Sequence, residues 1–152
     1  MNLIVYYSRT NNTKEISQLI AEEVGGDLLE IKDKKSRSGP VGFVLGAVES
    51  FLGKKTDVTY EKKDLSAYDT VYIGTPVWAS KPAPAVIKFI EDNDFSNVEA
   101  VTFATFMGSG GKSTTTEMNN LIKSKGGNIK RSFAFRMTGT DKKELVKSAF
   151  EN

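Results

Sequence analysis

The residues with chemistry to offer lie in three short stretches. Ser8, Arg9, Thr10, Asn11, Asn12 and Thr13 crowd hydroxyls and amides together. Thr75, Pro76, Val77, Trp78, Ala79 and Ser80 contain the only tryptophan. Met107, Gly108, Ser109, Gly110 and Gly111 are rich in glycine and run into Lys112. The chain has no histidine and no cysteine. That removes the commonest general base, thiolate nucleophiles and metal sites, iron–sulfur clusters and disulfides. No catalytic side chain and no metal ligand is nominated. Chemistry must come from hydroxyls, carboxylates, lysines, backbone groups or a borrowed cofactor.

The first stretch sits between a strand pattern and a helix pattern. Leu3, Ile4, Val5 and Tyr6 form an apolar run that reads as a buried strand. Ile16, Leu19, Ile20 and Val24 then recur at helical spacing. A loop that feeds a helix N-terminus aims backbone N–H groups at one point, where the helix dipole favours an anion. Short hydroxyls can donate to phosphate oxygens at the same place. Asn12 is the expected helix cap, with Glu15 completing a capping box.

The elements that must position these loops follow in order. Residues 27–32 read as a second strand, 33–40 as a basic loop and 41–53 as an unusually apolar helix. Residues 57–64 are polar and ambiguous, an edge strand at most. Residues 70–75 read as a third strand stopped by Pro76, and 82–92 as a helix that opens on prolines. Residues 100–106 form a fourth strand, followed by a helix from about residue 114. A fifth strand over 129–137 and a last helix over 141–150, with Asp141 and Glu144 as a capping box, complete the pattern. Strands alternating with helices imply an α/β fold: a doubly wound, five-stranded parallel sheet with helices on both faces. Its ligand site belongs at the carboxyl ends of the strands, near the switch point. All three polar loops leave those ends.

The chain has 152 residues, 39% of them hydrophobic and 26% charged, with a net charge of +2. This is the composition of a single globular domain over residues 1–152. The N-terminus is a strand pattern without a signal core, and no apolar run reaches a membrane-span length. A cytoplasmic location is expected, without a nucleic-acid partner.

A phosphate cradle, an aromatic plate at Trp78 and a glycine-lined backbone edge at one end of a sheet are what a flavin mononucleotide requires. The stretch Tyr7-Ser8-Arg9-Thr10-Asn11-Asn12-Thr13 resembles the phosphate loop S/T-x-T-G-x-T of the flavodoxins, with Asn11 in place of the glycine. Residues 64–69, followed by Val71-Tyr72-Ile73-Gly74-Thr75-Pro76-Val77-Trp78, resemble that family's third strand and ring-covering loop. The resemblance extends over essentially the whole chain. It implies the strand order 2-1-3-4-5 and FMN as cofactor. By the same resemblance residues 8–13 hold the phosphate, residues 75–80 line the ring with Trp78 stacking on it, and residues 107–111 contact the pyrimidine edge. A backbone carbonyl within 76–80 accepts a hydrogen bond from reduced flavin N5. The implied function is a low-potential one-electron carrier between larger redox enzymes, acting as monomer or weak dimer. The alternative on the same fold is an FMN-dependent NAD(P)H:quinone or flavin reductase.

Three departures from the family pattern carry expectations. Asparagine tolerates the left-handed backbone, so the turn at Asn11 can survive. No tyrosine follows the third loop, so a second aromatic plate is missing. The second and third loops carry Lys81 and Lys112 and no carboxylate. A cation about 10 Å from the ring stabilises the anionic reduced flavin by roughly 1 kcal/mol, or roughly 40 mV for a one-electron couple. The potential is therefore expected to be less negative than that of an acidic relative.

Other nucleotide readings fail on particular residues. The P-loop pattern ending at Gly111-Lys112-Ser113 needs a glycine at the position held by Phe106. No G-x-G-x-x-G follows the first strand. A phosphatase of this topology needs a cysteine in the first loop, and a receiver domain needs an aspartate ending a central strand. Two basic clusters, at Lys32, Lys34, Lys35 and Arg37 and at Lys54, Lys55, Lys62 and Lys63, read as solvated surface. Their sharper reading is a docking face for acidic surfaces of redox partners. The apolar residues of 41–53 offer packing or a self-association surface.

Overall fold

The computed structural model describes residues 1–33, 58–139 and 141–151. The expected helix over 41–53, and Lys34, Lys35, Arg37, Lys54 and Lys55, lie outside the described residues. The chain runs through β1 (Asn2–Tyr6), α1 (Asn12–Val24), β2 (Gly26–Glu30), β3 (Lys32–Asp33) and β4 (Val58–Thr59). After a 3-10 turn at Leu65–Ala67 come β5 (Thr70–Trp78), β6 (Lys81–Pro82), α2 (Pro84–Asp92) and β7 (Glu99–Phe106). The chain continues through α3 (Gly111–Ser124), β8 (Asn128–Arg136) and α4 (Lys142–Phe150).

The main sheet has the order β2-β1-β5-β7-β8, and each neighbouring pair is parallel. This is the doubly wound order expected from the sequence. Alternation along the central strands explains why both faces are covered. Leu3, Val5, Val71 and Ile73 enter one core with Phe89, Ile90, Met118 and Ile122, beneath α2 and α3. Ile4, Tyr72, Val101 and Phe103 enter the other with Ile16, Ile20 and Val146, beneath α1 and α4. A strand with period two and apolar residues at every position can only be buried on both sides.

Four boundaries differ from the sequence expectation. β5 does not stop at Pro76; it continues to Trp78, and Pro76 pairs with Thr105 of β7. The Tyr7 N–H donates to the Gly74 carbonyl, and β1 ends there. Pro76, two residues on, turns its missing N–H toward the side where no neighbouring strand remains, so no ladder bond is lost. Beyond it the chain folds back as an antiparallel hairpin, pairing Val77 with Pro82 and Trp78 with Lys81. That delays α2 to Pro84. The second strand ends at Glu30, and among the described residues the ambiguous segment contributes Val58–Thr59, paired antiparallel with Lys32–Asp33. α3 starts at Gly111, earlier than residue 114, because Gly110 at φ 95° turns the chain directly into the helix.

Close packing of β5 on β7 depends on one glycine. Gly74 pairs with Phe103, and a Cβ on Gly74 would lie 2.2 Å from that ring. The ring of Phe103, wholly buried, therefore occupies the space over Gly74. Among the described residues no helix is long and apolar enough to cross a membrane.

Candidate functional site

The carboxyl ends of β1, β5 and β7 open into a cleft of about 460 Å³. That volume falls within the range of small-molecule and cofactor sites. All three sequence-nominated loops reach it. Arg9, Thr10 and Asn12 line it from the first; Pro76, Val77, Trp78, Ala79 and Ser80 from the second; Met107, Gly108 and Ser109 from the third. Among the described residues lining it, Arg9 is the one that is charged, and none is a carboxylate.

The remaining nominated residues frame the cleft. Asn11 sits at φ 72°, in the left-handed conformation that its place in the loop demands, and its carbonyl accepts the Glu15 N–H. The Ser8 hydroxyl accepts the Lys14 N–H at 3.1 Å, which satisfies a first-turn donor of α1. Asn12 is the first helical residue and not the cap, because Asn11 has already turned the chain. The expected capping box is absent too: the Glu15 carboxylate reaches Lys142 Nζ at 2.6 Å, joining α1 to α4. Asp141, by contrast, does cap α4, accepting the Lys143 N–H at 2.8 Å. Thr13 is buried, with its hydroxyl 2.8 Å from that of Thr105 on β7. This hydrogen bond holds the start of α1 against the sheet. Thr75 is also buried; its hydroxyl donates to the Pro76 carbonyl and accepts the Ala83 N–H. It braces the bend between β5 and α2.

The second and third loops are locked together. Ala79 and Ser80 form the two-residue hairpin turn, at φ 52° and 62°, a conformation that costs non-glycine residues energy. Gly110 packs against this turn so closely that a Cβ there would sit 3.0 Å from Ser80 Cα. The Ser113 hydroxyl donates to the Ser80 carbonyl at 3.2 Å. Gly111 makes room for the ring of Phe106, 2.7 Å from where its Cβ would stand. Gly108, in contrast, has open space around that position, so its backbone can be approached closely.

Trp78 behaves differently from the open plate expected from the sequence. It lines the cleft, yet it is only 3% exposed and belongs to the core beneath α2 and α3. Tyr7 meets it edge-on, with ring centroids 5.7 Å apart. The hairpin rather than the loop sets this orientation, since Trp78 is the last paired residue of β5. Lys81, read as an unopposed cation, pairs with Glu117 of α3 at 3.1 Å. The carboxylate comes from a helix and not from either loop, so loop composition did not reveal it. Three lining residues escaped the sequence reading: Thr105, Phe106 and Met137. The first two end β7 and were assigned to the strand alone. Met137 follows β8, whose register against β7 sets it beside the third loop.

Among known proteins, a family model described as flavodoxin matches residues 48–152. No curated protein matches the sequence significantly. Solved structures do. A flavoprotein from Lactobacillus acidophilus NCFM, in complex with FMN, superposes with a TM-score of 0.74 at 23% identity, covering 97% of each chain. A proposed flavoprotein from Bacteroides uniformis ATCC 8492 gives a TM-score of 0.82 at 25% identity over 99% of this chain and 97% of that one. Oxidised Flavodoxin 2 from Bacillus cereus gives 0.59 at 17% identity over 97% and 93%. At such identities the likeness is one of fold.

Proposed function

This chain belongs to the flavodoxin family, and from that premise we propose that residues 1–152 act as one FMN-binding domain that carries single electrons between larger redox enzymes in the cytoplasm. The observation that carries the reading is the convergence of three loops on one cleft at the carboxyl ends of β1, β5 and β7. The residues suit the cofactor. The N-terminal turn of α1 supplies backbone donors and a dipole for the phosphate, with Thr10 and Asn12 beside it and Arg9 offsetting its charge. Residues 76–80 and 107–109 offer backbone edges to the ring, and Gly108 leaves room for close approach. FMN supplies the redox chemistry; the chain supplies position and electrostatics. With FMN bound, a backbone carbonyl within 76–80 would accept a hydrogen bond from the protonated flavin N5, and the hairpin pairing of Val77 with Pro82 and Trp78 with Lys81 would hold that carbonyl in place.

With no carboxylate among the described residues lining the cleft, the reduced anionic flavin would meet less repulsion than an acidic site would impose. The Lys81–Glu117 pair moderates this, because Glu117 cancels much of the charge that Lys81 alone would contribute. The proposed potential thus stays above that of acidic relatives, with a smaller offset than two unpaired lysines would give.

A second reading, an FMN-dependent NAD(P)H:quinone or flavin reductase, draws on one observation. Trp78 is nearly covered and Phe106 packs on Gly111, so among the described residues lining the cleft neither aromatic side chain stands as an open plate. A visible spectrum during stepwise anaerobic reduction of the FMN-loaded protein separates the two. A long-wavelength band that grows and then fades marks two separate one-electron couples and the carrier. Direct bleaching, with steady turnover of NADH or NADPH and a quinone, marks the reductase. Failure to bind FMN overturns both.

A further inference from the structure

Strand β8 is the outer strand of the main sheet, and among the described residues no strand pairs with its far side. It is nine residues long, and six of them are exposed. A β-bulge at Lys130 interrupts its pairing with β7, and from Arg131 to Arg136 the two strands run one to one. The direction of its backbone groups follows from one hydrogen bond. The Met137 N–H donates to the Phe106 carbonyl at 2.8 Å, so residue 137 turns toward β7. In an extended strand the N–H and C=O of one residue point to one side, and those of the next residue to the other. Phe133 and Phe135 therefore turn inward with Met137, while Ser132, Ala134 and Arg136 turn their N–H and C=O outward. All three are exposed. They make a row of open rungs at two-residue spacing.

The same edge is basic. Lys130, Arg131 and Arg136 stand on β8, and no carboxylate does. A neutral oxygen holds each cation: Lys130 Nζ donates to the Thr70 hydroxyl at 3.2 Å, the Arg131 guanidinium to the Ala149 carbonyl at 3.1 Å and Arg136 Nε to the Met107 carbonyl at 3.2 Å. Among the described residues none of the three forms an ion pair. Glu99 lies at the end of this edge away from the cleft, on β7, and accepts from the Asn128 side chain. The other end adjoins the cleft, which Met107 and Met137 line.

We propose that the outer edge of β8 takes an extended, acidic segment of a partner protein as an added strand. Main-chain bonds to Ser132, Ala134 and Arg136 supply the attachment, and Lys130, Arg131 and Arg136 select the charge. A second copy of this chain is the poorer occupant, because it would set cations against cations along the same edge. The inference stands without the FMN reading. With FMN bound, the same contact would set a redox partner beside the cleft.

The test uses the full chain, with and without FMN, and a capped seven-residue peptide of alternating glutamate and valine. Amide exchange at Ser132, Ala134 and Arg136, read by NMR, should be fast in the free protein and several-fold slower with the peptide. Phe133 and Phe135 should exchange slowly in both. Binding should weaken as salt rises. A lysine–valine peptide, and the glutamate peptide N-methylated at every residue, should each bind at least about tenfold more weakly. Ala134→Pro removes an outward N–H and no bond to β7, so it should lose peptide binding and keep the wild-type far-UV circular dichroism. The N-methylated peptide carries the same test on the unaltered protein. Slow exchange at the three rungs in the free protein overturns the proposal; a dimeric mass by light scattering would then identify a second copy as the occupant. Failure of the glutamate peptide to bind overturns it too, as does equal binding of the lysine or N-methylated peptide. Because peptide binding is read on the chain with and without FMN, a failure to bind FMN leaves this inference to stand or fall separately.

Discussion

Gly74 illustrates how much a single hydrogen atom can decide. The position has ordinary backbone dihedrals, so an alanine there faces no conformational penalty, only the ring of Phe103. That ring is wholly buried and cannot retreat into solvent. Gly74→Ala is expected to destabilise the protein by about 2–3 kcal/mol, measured by urea denaturation. Unchanged stability would mean that the sheet can shift to admit the methyl group. Two tyrosines make a different prediction. Burial raises the phenol of Tyr6 above its usual range, with Glu30 adding to the effect. Burial likewise raises Tyr72, partly opposed by Arg131. The unfolded chain releases these protons near pH 10, before the folded chain does. The folded state then binds more protons, so stability is full below about pH 10 and falls as pH rises through the folded values. Tyr6→Phe and Tyr72→Phe should each flatten that alkaline decline in a pH series of denaturation curves.

The elements are held by contacts that sequence periodicity does not encode. The apolar spacing of Ile16 and Ile20 requires only that α1 face the sheet. Its position along the sheet depends on the Thr13–Thr105 hydrogen bond and on the Glu15–Lys142 bridge to α4. Thr13→Val keeps the shape and strands the buried Thr105 hydroxyl. It should cost about 1–2 kcal/mol. It should also weaken FMN binding if, as proposed, the turn of helix that it loosens faces the phosphate. Loss of stability without loss of affinity would separate α1 docking from the site. In the same way, the end of β5 is set by where β1 stops. Read in isolation Pro76 ends a strand, but in the sheet its missing N–H faces a side with no partner.

Across the whole molecule the charge distribution sets the expected redox behaviour. The described residues lining the cleft include one cation and no carboxylate, and Lys81 of the second loop is paired with Glu117, each about one-third exposed. Glu117→Gln releases the lysine charge from its partner. The midpoint potential of bound FMN should rise by about 20–40 mV, with the larger shift at low salt. A potential that does not move would place this pair too far from the ring to matter.

Hydrophobic period and turn chemistry were enough to determine a doubly wound α/β sheet and the three loops that leave the carboxyl ends of its central strands. These are local or additive properties, written residue by residue. Asn11 belongs with them, since its backbone tolerance is intrinsic to the side chain and the turn formed as read. The orientation of Trp78, the pairing of Lys81 and the arrival of Met137 beside Met107 do not belong with them. Each depends on strand register or on a helix distant in sequence: a hairpin for Trp78, α3 for Lys81, the β7–β8 ladder for the two methionines. Register emerges only when whole strands pair. The composition of a loop therefore indicates what it can bind, while the partners that tune the binding are chosen by tertiary structure.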